Sequence, residues 1–400
     1  MKKTMNCLLC LLLLSAFLIS GCGGSSSSPS RFSPTPTPTP TPTPNLDFYG
    51  IPYKLTVHEV DKNEVNVNFG IISDTHVDIP TSQEAPTNYA RRSYTIIDNT
   101  NNDCRDNKCL GVVHIGDMVN ANNTQYLVAF RQMFENDYPG ANGGTIAGSS
   151  DSDYEAYSKG HRISLPVFPT MGNHDDPPFG TGVKDWYRAR DYLNDRLLGA
   201  PGILTQYDAN SYMWRWGRYV FIQLGEWAGC YEHENPADID PNKLKWLKDS
   251  LAANVGDSNL GVFVFQHYGW DAFSTEDRWW TQAERDMELN IFCRRDNSDE
   301  PCRPYNVLGI FTGHLHSRQH IVVPVGLDPD GNQVNFDNFV VSDAGPDSFS
   351  QMGHTIVNLN GTVMDVNSKN DYTGEWFKES KSINIVGNEP NFRSRVPIRR

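Results

Sequence analysis

Positive charge is scarce in this chain of 400 residues: 34 Lys and Arg stand against 48 Asp and Glu, a net charge of −14 with His neutral. That balance argues against binding along a nucleic-acid phosphate backbone, which draws on clustered Lys and Arg. Charged residues of either sign make up only 20%, while 38% are hydrophobic, so the chain is not wholly disordered and can bury a core. The 32 Gly fall far short of a collagen repeat, and no internal repeat is visible. No long apolar run follows residue 20, so nothing after it reads as a membrane-spanning helix. Low-complexity sequence is also missing after residue 45, and residues 46–400 read as one elaborated domain.

The first 45 residues are of another kind. Lys2 and Lys3 precede a nearly unbroken apolar run from Leu8 to Ser20. A helix of that length reaches about 20 Å, short of the roughly 30 Å hydrocarbon core, so residues 1–21 read as a signal peptide. The run closes on Leu18-Ile19-Ser20-Gly21-Cys22, which resembles the bacterial lipobox. That resemblance implies a lipidated Cys22 as the mature N-terminus and a place in the bacterial cell envelope, lipid-anchored to a membrane after export. Residues 22–45 continue with Ser25 to Ser28 and a Pro/Thr alternation from Pro34 to Pro44. Proline fixes φ and donates no N–H, so this segment reads as an extended linker.

Cysteine use fits an exported protein. Of eight, Cys7 and Cys10 lie in the signal and Cys22 takes the lipid. Cys104/Cys109 and Cys293/Cys302 each bracket a short polar loop, consistent with two local disulfides that leave Cys230 free. A structural zinc site with four thiolates is the rival, although the second spacing is wide for one.

Within residues 46–400, short runs rich in Val, Ile, Phe and Tyr alternate with amphipathic stretches. Strands are expected at Val65–Ile72, Leu110–Ile115, Pro166–Met171, Tyr212–Trp216, Tyr219–Leu224, Leu260–Gln266, Val307–Phe311, Asn338–Val341 and Thr355–Leu359. Helices are expected at Tyr89–Asp98, Thr124–Glu135, Lys184–Leu198, Pro241–Ala253 (Asp240 as its cap) and Thr281–Phe292. This order suggests an α/β domain of at least two layers, with the Gly/Ser-rich stretch 141–161 as an inserted loop.

Five segments end apolar strand runs: Ser73-Asp74-Thr75-His76, Gly116-Asp117, Gly172-Asn173-His174-Asp175, Gln266-His267 and Gly313-His314-Leu315-His316. Asp, His and Asn are metal-ligand types, and the crevice beyond strand carboxyl ends is where α/β sheets bind ligands. An Asp-x-His leaving a strand aims both side chains at one ion, because alternate residues share a face. One such segment is ordinary; five in this order are not.

Together these segments resemble the calcineurin-like metallophosphoesterase superfamily over about Val65 to Leu359. The resemblance implies two mixed β-sheets packed as a sandwich flanked by helices, an αββα fold. It also implies a dinuclear, metal-dependent hydrolase of phosphate esters with a metal-bridging hydroxide as nucleophile. Carried over, Asp74, His76 and His316 hold one metal, Asp117 bridges, and Asn173, His267 and His314 complete the second site. His174 is the proton donor, oriented by Asp175. Imidazole, carboxylate and amide ligands together suit Mn, Zn or Fe rather than Ca.

Two branches fit poorly. Gly116-Asp117 continues Met118-Val119-Asn120, not into the Asp-Arg-Gly of the protein Ser/Thr phosphatases, and Asn120 stands where purple acid phosphatases carry a Tyr ligand. The remaining expectation is a phosphodiesterase, with a phosphomonoesterase of the same fold or a catalytically inactive binding module as alternatives; a purely structural surface lipoprotein is the third class. Tyr268, Trp270 and Asp271 follow His267 and are candidates for the substrate pocket, or for core packing. His320 and His354 read as surface or supporting residues, and His58, His114, His161 and His233 as ordinary.

Overall fold

A computed structural model describes residues 54–77, 86–120, 124–134, 162–175, 189–230, 239–344 and 352–385. The signal, Cys22, the linker, His233 and residues 141–161 (His161 included) lie outside the described residues.

Thirteen strands form among the described residues: β1 Asn66–Ile72, β2 Val112–His114, β3 Val167–Phe168, β4 Ile203–Gln206, β5 Ser211–Trp216, β6 Tyr219–Leu224, β7 Gly261–Gln266, β8 Val307–Thr312, β9 Gln319–Leu327, β10 Gln333–Val340, β11 Gly353–Asn360, β12 Val363–Asn370 and β13 Trp376–Ser382. They make a six-stranded sheet, β13-β12-β11-β1-β2-β3, and a seven-stranded sheet, β4-β5-β6-β7-β8-β10-β9. Both are mixed. The parallel run β1-β2-β3 forms one side of the first sheet, out to its edge, and β6-β7-β8-β10 forms the centre of the second; antiparallel strands complete both.

Central strands β6, β7 and β8 are buried along their whole length. Period-2 alternation then assigns a hydrophobic residue to each face. Phe221, Phe263, Phe265 and Phe311 point between the sheets, where Phe69 of β1 meets them edge-on at centroid distances of 5.1–6.5 Å. Val220, Ile222, Val262, Val264 and Ile310 take the other face and cluster with Leu247, Leu251, Leu289 and Phe292.

Those last four come from α4 (Pro241–Asn254) and α5 (Gln282–Phe292). Helices α1 (Pro86–Asn107), α2 (Thr124–Phe134) and α3 (Ala189–Leu197) add Ile96, Ile97, Leu127, Phe130, Tyr192 and Leu193 to the core of the other sheet. The αββα expectation is therefore met.

Sequence caps hold. Asp240 accepts from the N–H groups of Asn242 and Lys243, with Pro241 opening α4. Thr281, expected inside the fifth helix, is instead its N-cap, in a reciprocal capping box with Glu284.

Cys293 and Cys302 form a disulfide. The second expected bridge is absent. Cys104 sits in the last turns of α1 and Cys109 just beyond it, both as buried thiols. A hydrogen bond with Cys109, then burial, pushes the Cys104 thiol far above its ordinary range. Among the described residues, no group of metal-ligand side chains contains cysteine, so the thiolate zinc alternative has no site there.

Two buried acids, Glu226 and Glu288 of α5, meet the segment that follows β6. Cys230 donates to Glu226 Oε2 at 3.0 Å, and Glu288 Oε2 accepts from the Ala228 N–H at 3.2 Å. Burial pushes Glu288 from 4.5 up to about 8. The folded state therefore holds a proton that the unfolded state releases above pH 4.5. Stability from this group is full below that pH and declines until about pH 8, by on the order of 4 kcal/mol. Glu288→Gln should leave Tm at pH 5 close to the parent and raise it at pH 8. Equal shifts at both pH values would remove charge as the cause.

Candidate metal centre

All five expected segments converge where strands give way to loops. Asp74 and His76 follow β1, Asp117 follows β2, Asn173 and His174 follow β3, His267 follows β7, and His314 and His316 follow β8. The two sheets thus each contribute, and their loops are sewn together through backbone. Asp74 N–H donates to Gly116 O, His76 N–H to Asp117 O, Gly313 N–H to His267 O, and Ala344 N–H to Ser73 O, all within 2.9–3.1 Å.

Five of the seven non-glycine residues with positive φ among those described belong to this centre: Asp74 (52°), His76 (40°), Asp117 (51°), His314 (67°) and His316 (58°). Such backbone costs on the order of 1–3 kcal/mol each and persists only where its surroundings enforce it. Here the side-chain directions require it. Gly116 (φ 81°) precedes the shared aspartate because a Cβ there would lie 2.7 Å from Gly172 N and 2.8 Å from His267 Nδ1.

Two clusters emerge. In one, Asp74, His76, Asp117 and His316 bring one ligand atom each within 4.8 Å of one another; in the other, Asp117, His267 and His314 do the same. Asp117 belongs to both. Its Oδ2 lies 3.6 Å from His76 Nε2 and 3.2 Å from His267 Nε2, while Oδ1 accepts from the His174 N–H at 2.8 Å. Asn173 Oδ1 reaches His267 Nε2 at 3.1 Å, which places the expected amide with the second cluster.

The tautomer of His267 follows from its partner. A carbonyl only accepts, so Nδ1–H donates to Ile115 O at 2.8 Å and Nε2 is left for the cluster. His76 Nε2 and His316 Nε2 face each other at 3.0 Å, and His314 Nε2 is buried without a hydrogen-bond partner. Imidazole lone pairs and carboxylates crowded together in a buried space call for a cation, so the donor set fits a metal pair.

The electrostatics agree. Burial opposes charge on Asp74 and Asp117, yet the neighbouring imidazoles, His316 and His267 respectively, hold both carboxyls below their ordinary range. Burial also opposes protonation of His267 and His316, but Asp117 holds the first up at about 10 and Asp74 the second at about 9. Burial first, and then the charge of His267, brings His314 down to about 3.

His174 stands outside both clusters. It is half-buried, and its ring meets that of His76 edge-on at 4.6 Å. The expected orienting role of Asp175 is corrected. Asp175 accepts from the N–H groups of Gly172, Met118 and Val119 at 2.9–3.1 Å, binding two ligand loops to each other. His174 Nδ1 lies 2.8 Å from Asn120 O and donates to it, so a backbone carbonyl sets that ring.

The substrate-pocket candidates divide. Tyr268 lies 4.8 Å from the His314 ring. Trp270 packs on Trp280 instead, and Asp271 is buried, accepting from Phe273 N–H, Ser274 N–H and the Ser274 hydroxyl; both build the loop rather than line the site. Phe273 and Trp279, which sequence reasoning missed, flank His314 at 4.9 and 4.5 Å and are partly exposed.

Other supporting residues were also missed. His114, buried and brought down to about 3 by burial, hydrogen-bonds Thr75 Oγ1, which donates to Met118 O. Asp343 Oδ2 faces His316 Nδ1 at 3.8 Å. Asp343 follows an apolar run, the signal that marked the other five segments; the Asn120 carbonyl has no sequence signal, since every residue carries one. His320, between Asp337 and Glu379, and His354, between Asp371 and Asp103, lie in ion-pair networks away from the centre.

Residues 67–318 match the family model described as calcineurin-like phosphoesterase. No curated protein sequence matches the chain. Among solved structures, PhoD is similar at 10% identity and a TM-score of 0.51, over 84% of this chain and 73% of that one. A dimetal phosphatase from Danio rerio is similar at 12% identity and a TM-score of 0.47, over 80% of this chain and all of that one. At such identities the likeness to PhoD extends to the fold alone.

Proposed function

Because the chain belongs to the calcineurin-like phosphoesterase family, and is thereby a metal-dependent phosphoesterase, we propose that it hydrolyses phosphate esters with two metal ions held side by side. The observation that carries this reading is the single carboxylate of Asp117 shared by two ligand clusters. Asp74, His76 and His316 would hold one ion, and Asn173, His267 and His314 the other. When bound, such a pair, of Mn, Zn or Fe, lowers the pKa of water and polarises phosphoryl oxygens.

The chain's own residues supply the rest. Asp117, shared by both ligand sets, would reduce the repulsion between two ions held there. His174 keeps Nδ1–H on the Asn120 carbonyl, which leaves Nε2 as the atom that carries a proton to the departing oxygen. Phe273 and Trp279 stand beside the second cluster as an apolar wall. A diester has a second organic group to lay against it; a monoester has none. This favours a diester, with a monoester as the alternative.

The test uses metal-stripped protein, a bis-aryl phosphodiester and an aryl phosphomonoester. Added Mn should restore turnover of both, with the larger kcat/KM for the diester. No turnover of either after reloading, with metal bound, would leave a binding module; a larger value for the monoester would reverse the assignment.

The reading extends to location. Cys22 after its apolar run supports export to a bacterial envelope and attachment by lipid, with the Pro/Thr segment as a spacer. No described helix is long and apolar enough to cross a membrane. Cys22→Ala should leave the protein uncleaved or soluble rather than matured into the detergent fraction. Unchanged partitioning and maturation would count against lipidation.

A further inference from the structure

We propose that Asp343 is the positioning residue for His316, and that it sets the metal affinity of the cluster formed by Asp74, His76, Asp117 and His316. The inference rests on the two-metal reading above and adds to it a residue that belongs to none of the five ligand segments.

His316 is the least enclosed of the ligand candidates. Its side chain is 30% exposed, whereas those of Asp74, His76, Asp117 and His267 are at most 1% exposed. His267 is locked by the Ile115 carbonyl, and His314 by rings on several sides. His316 instead leaves a loop in left-handed conformation, with its ring edge-on to His76. Packing alone therefore leaves its rotation and tautomer weakly defined.

Asp343 supplies what packing does not. It lies three residues beyond β10 and is fully buried. Its backbone is tied on both sides: Gly353 N–H donates to Asp343 O at 2.9 Å, and the next residue, Ala344, donates to Ser73 O at 2.9 Å. The second bond anchors it to the residue before Asp74, so its carboxylate is fixed relative to the cluster. Oδ2 faces His316 Nδ1 at 3.8 Å, an ion-pair distance rather than a hydrogen bond. A fixed negative charge on that side favours a proton on Nδ1. The lone pair then belongs to Nε2, the atom that faces Asp74 Oδ1 at 3.3 Å and His76 Nε2 at 3.0 Å.

His76 makes the contribution of Asp343 more consequential. His76 Nδ1 is buried with no hydrogen-bond partner, so nothing comparable fixes the tautomer of the other histidine in this cluster. Carboxylates that orient a ligand histidine typically carry about 10–100-fold in metal affinity.

The experiment titrates Mn into metal-stripped full-length parent, Asp343→Asn and His316→Ala, reading free Mn by electron paramagnetic resonance. Nitrogen NMR at about pH 10.5, where His316 has lost its second proton, reports its tautomer in the metal-free proteins, and thermal melting at neutral pH reports their folding. Two ions should bind the parent. Asp343→Asn should weaken one of them by about 10–100-fold, leave the other unchanged, and shift His316 away from the Nδ1–H tautomer. The metal-free Tm should stay close to the parent. His316→Ala should lose the same ion. Unchanged affinity for both ions in Asp343→Asn, or equal weakening of both with a fallen metal-free Tm, overturns the positioning role. A parent that binds fewer than two ions, or a His316→Ala protein that keeps both, overturns the two-metal reading itself, and this inference with it.

Discussion

Asp117→Asn should lose metal from both clusters at once. The substitution keeps size and keeps an oxygen to accept the His174 N–H, so the loop after β3 is preserved. What goes is one negative charge facing both ligand sets, through the oxygen that lies 3.6 Å from His76 Nε2 and 3.2 Å from His267 Nε2. A unit charge about 4 Å from a monovalent cation contributes about 4 kcal/mol at an effective dielectric of 20. A loss of that size is about a thousandfold in affinity for each ion. Metal content at micromolar Mn should fall from two per chain towards none, and turnover should fall with it. Removing any other single ligand should weaken one ion far more than the other. Near-parental turnover with two ions retained would show that Asp117 does not bridge.

His174→Ala separates chemistry from metal binding. His174 lies in neither ligand cluster, so both ions should remain. Turnover should fall by roughly 10²–10⁴-fold if Nε2 delivers the proton to the leaving oxygen. Leaving-group dependence makes the assignment specific. An aryl oxide departs as a weak base and needs little protonation; an alkoxide needs the proton and should suffer more. Loss of a metal would make His174 a ligand. Equal slowing of aryl and alkyl esters, with metals kept, would instead mean that His174 stabilises phosphoryl oxygens by its charge. Asn120 cannot be tested by side-chain replacement, because the atom that holds His174 is its backbone carbonyl.

The ligand set was legible because a strand ending in Asp-x-His or Gly-Asn-His is a local pattern. The strand ends deliver these residues, while the left-handed backbone that aims Asp74, His76, Asp117, His314 and His316 is held by their surroundings. The central strands were legible for a related reason: burial on both faces of β6, β7 and β8 demands continuous apolar sequence. Strand β12 escaped notice because it alternates polar with buried residues, β13 because none of its residues is buried, and β9 because it carries Pro324 in an outer strand of its sheet. Their polar, charged sequences suit a sheet margin and give no apolar run to read.

The sequence by itself determined the residue types of the centre, their order and the strands that deliver them, since these follow from local periodicity and donor chemistry. Tertiary structure decided which atoms meet. Asp175 looked like the partner of its neighbour His174, but three N–H groups from two loops occupy its oxygens, and Asn120 takes its expected place. Asp343 lies 27 residues from His316 in sequence yet faces its ring, because β8 and β10 are adjacent parallel strands whose ends open on the same side. Cys104 and Cys109 interact through a hydrogen bond and remain thiols. Hydrogen bonds and charge interactions act over a few ångströms in any direction, so pairings between strands are set by sheet order, which no local stretch of sequence encodes.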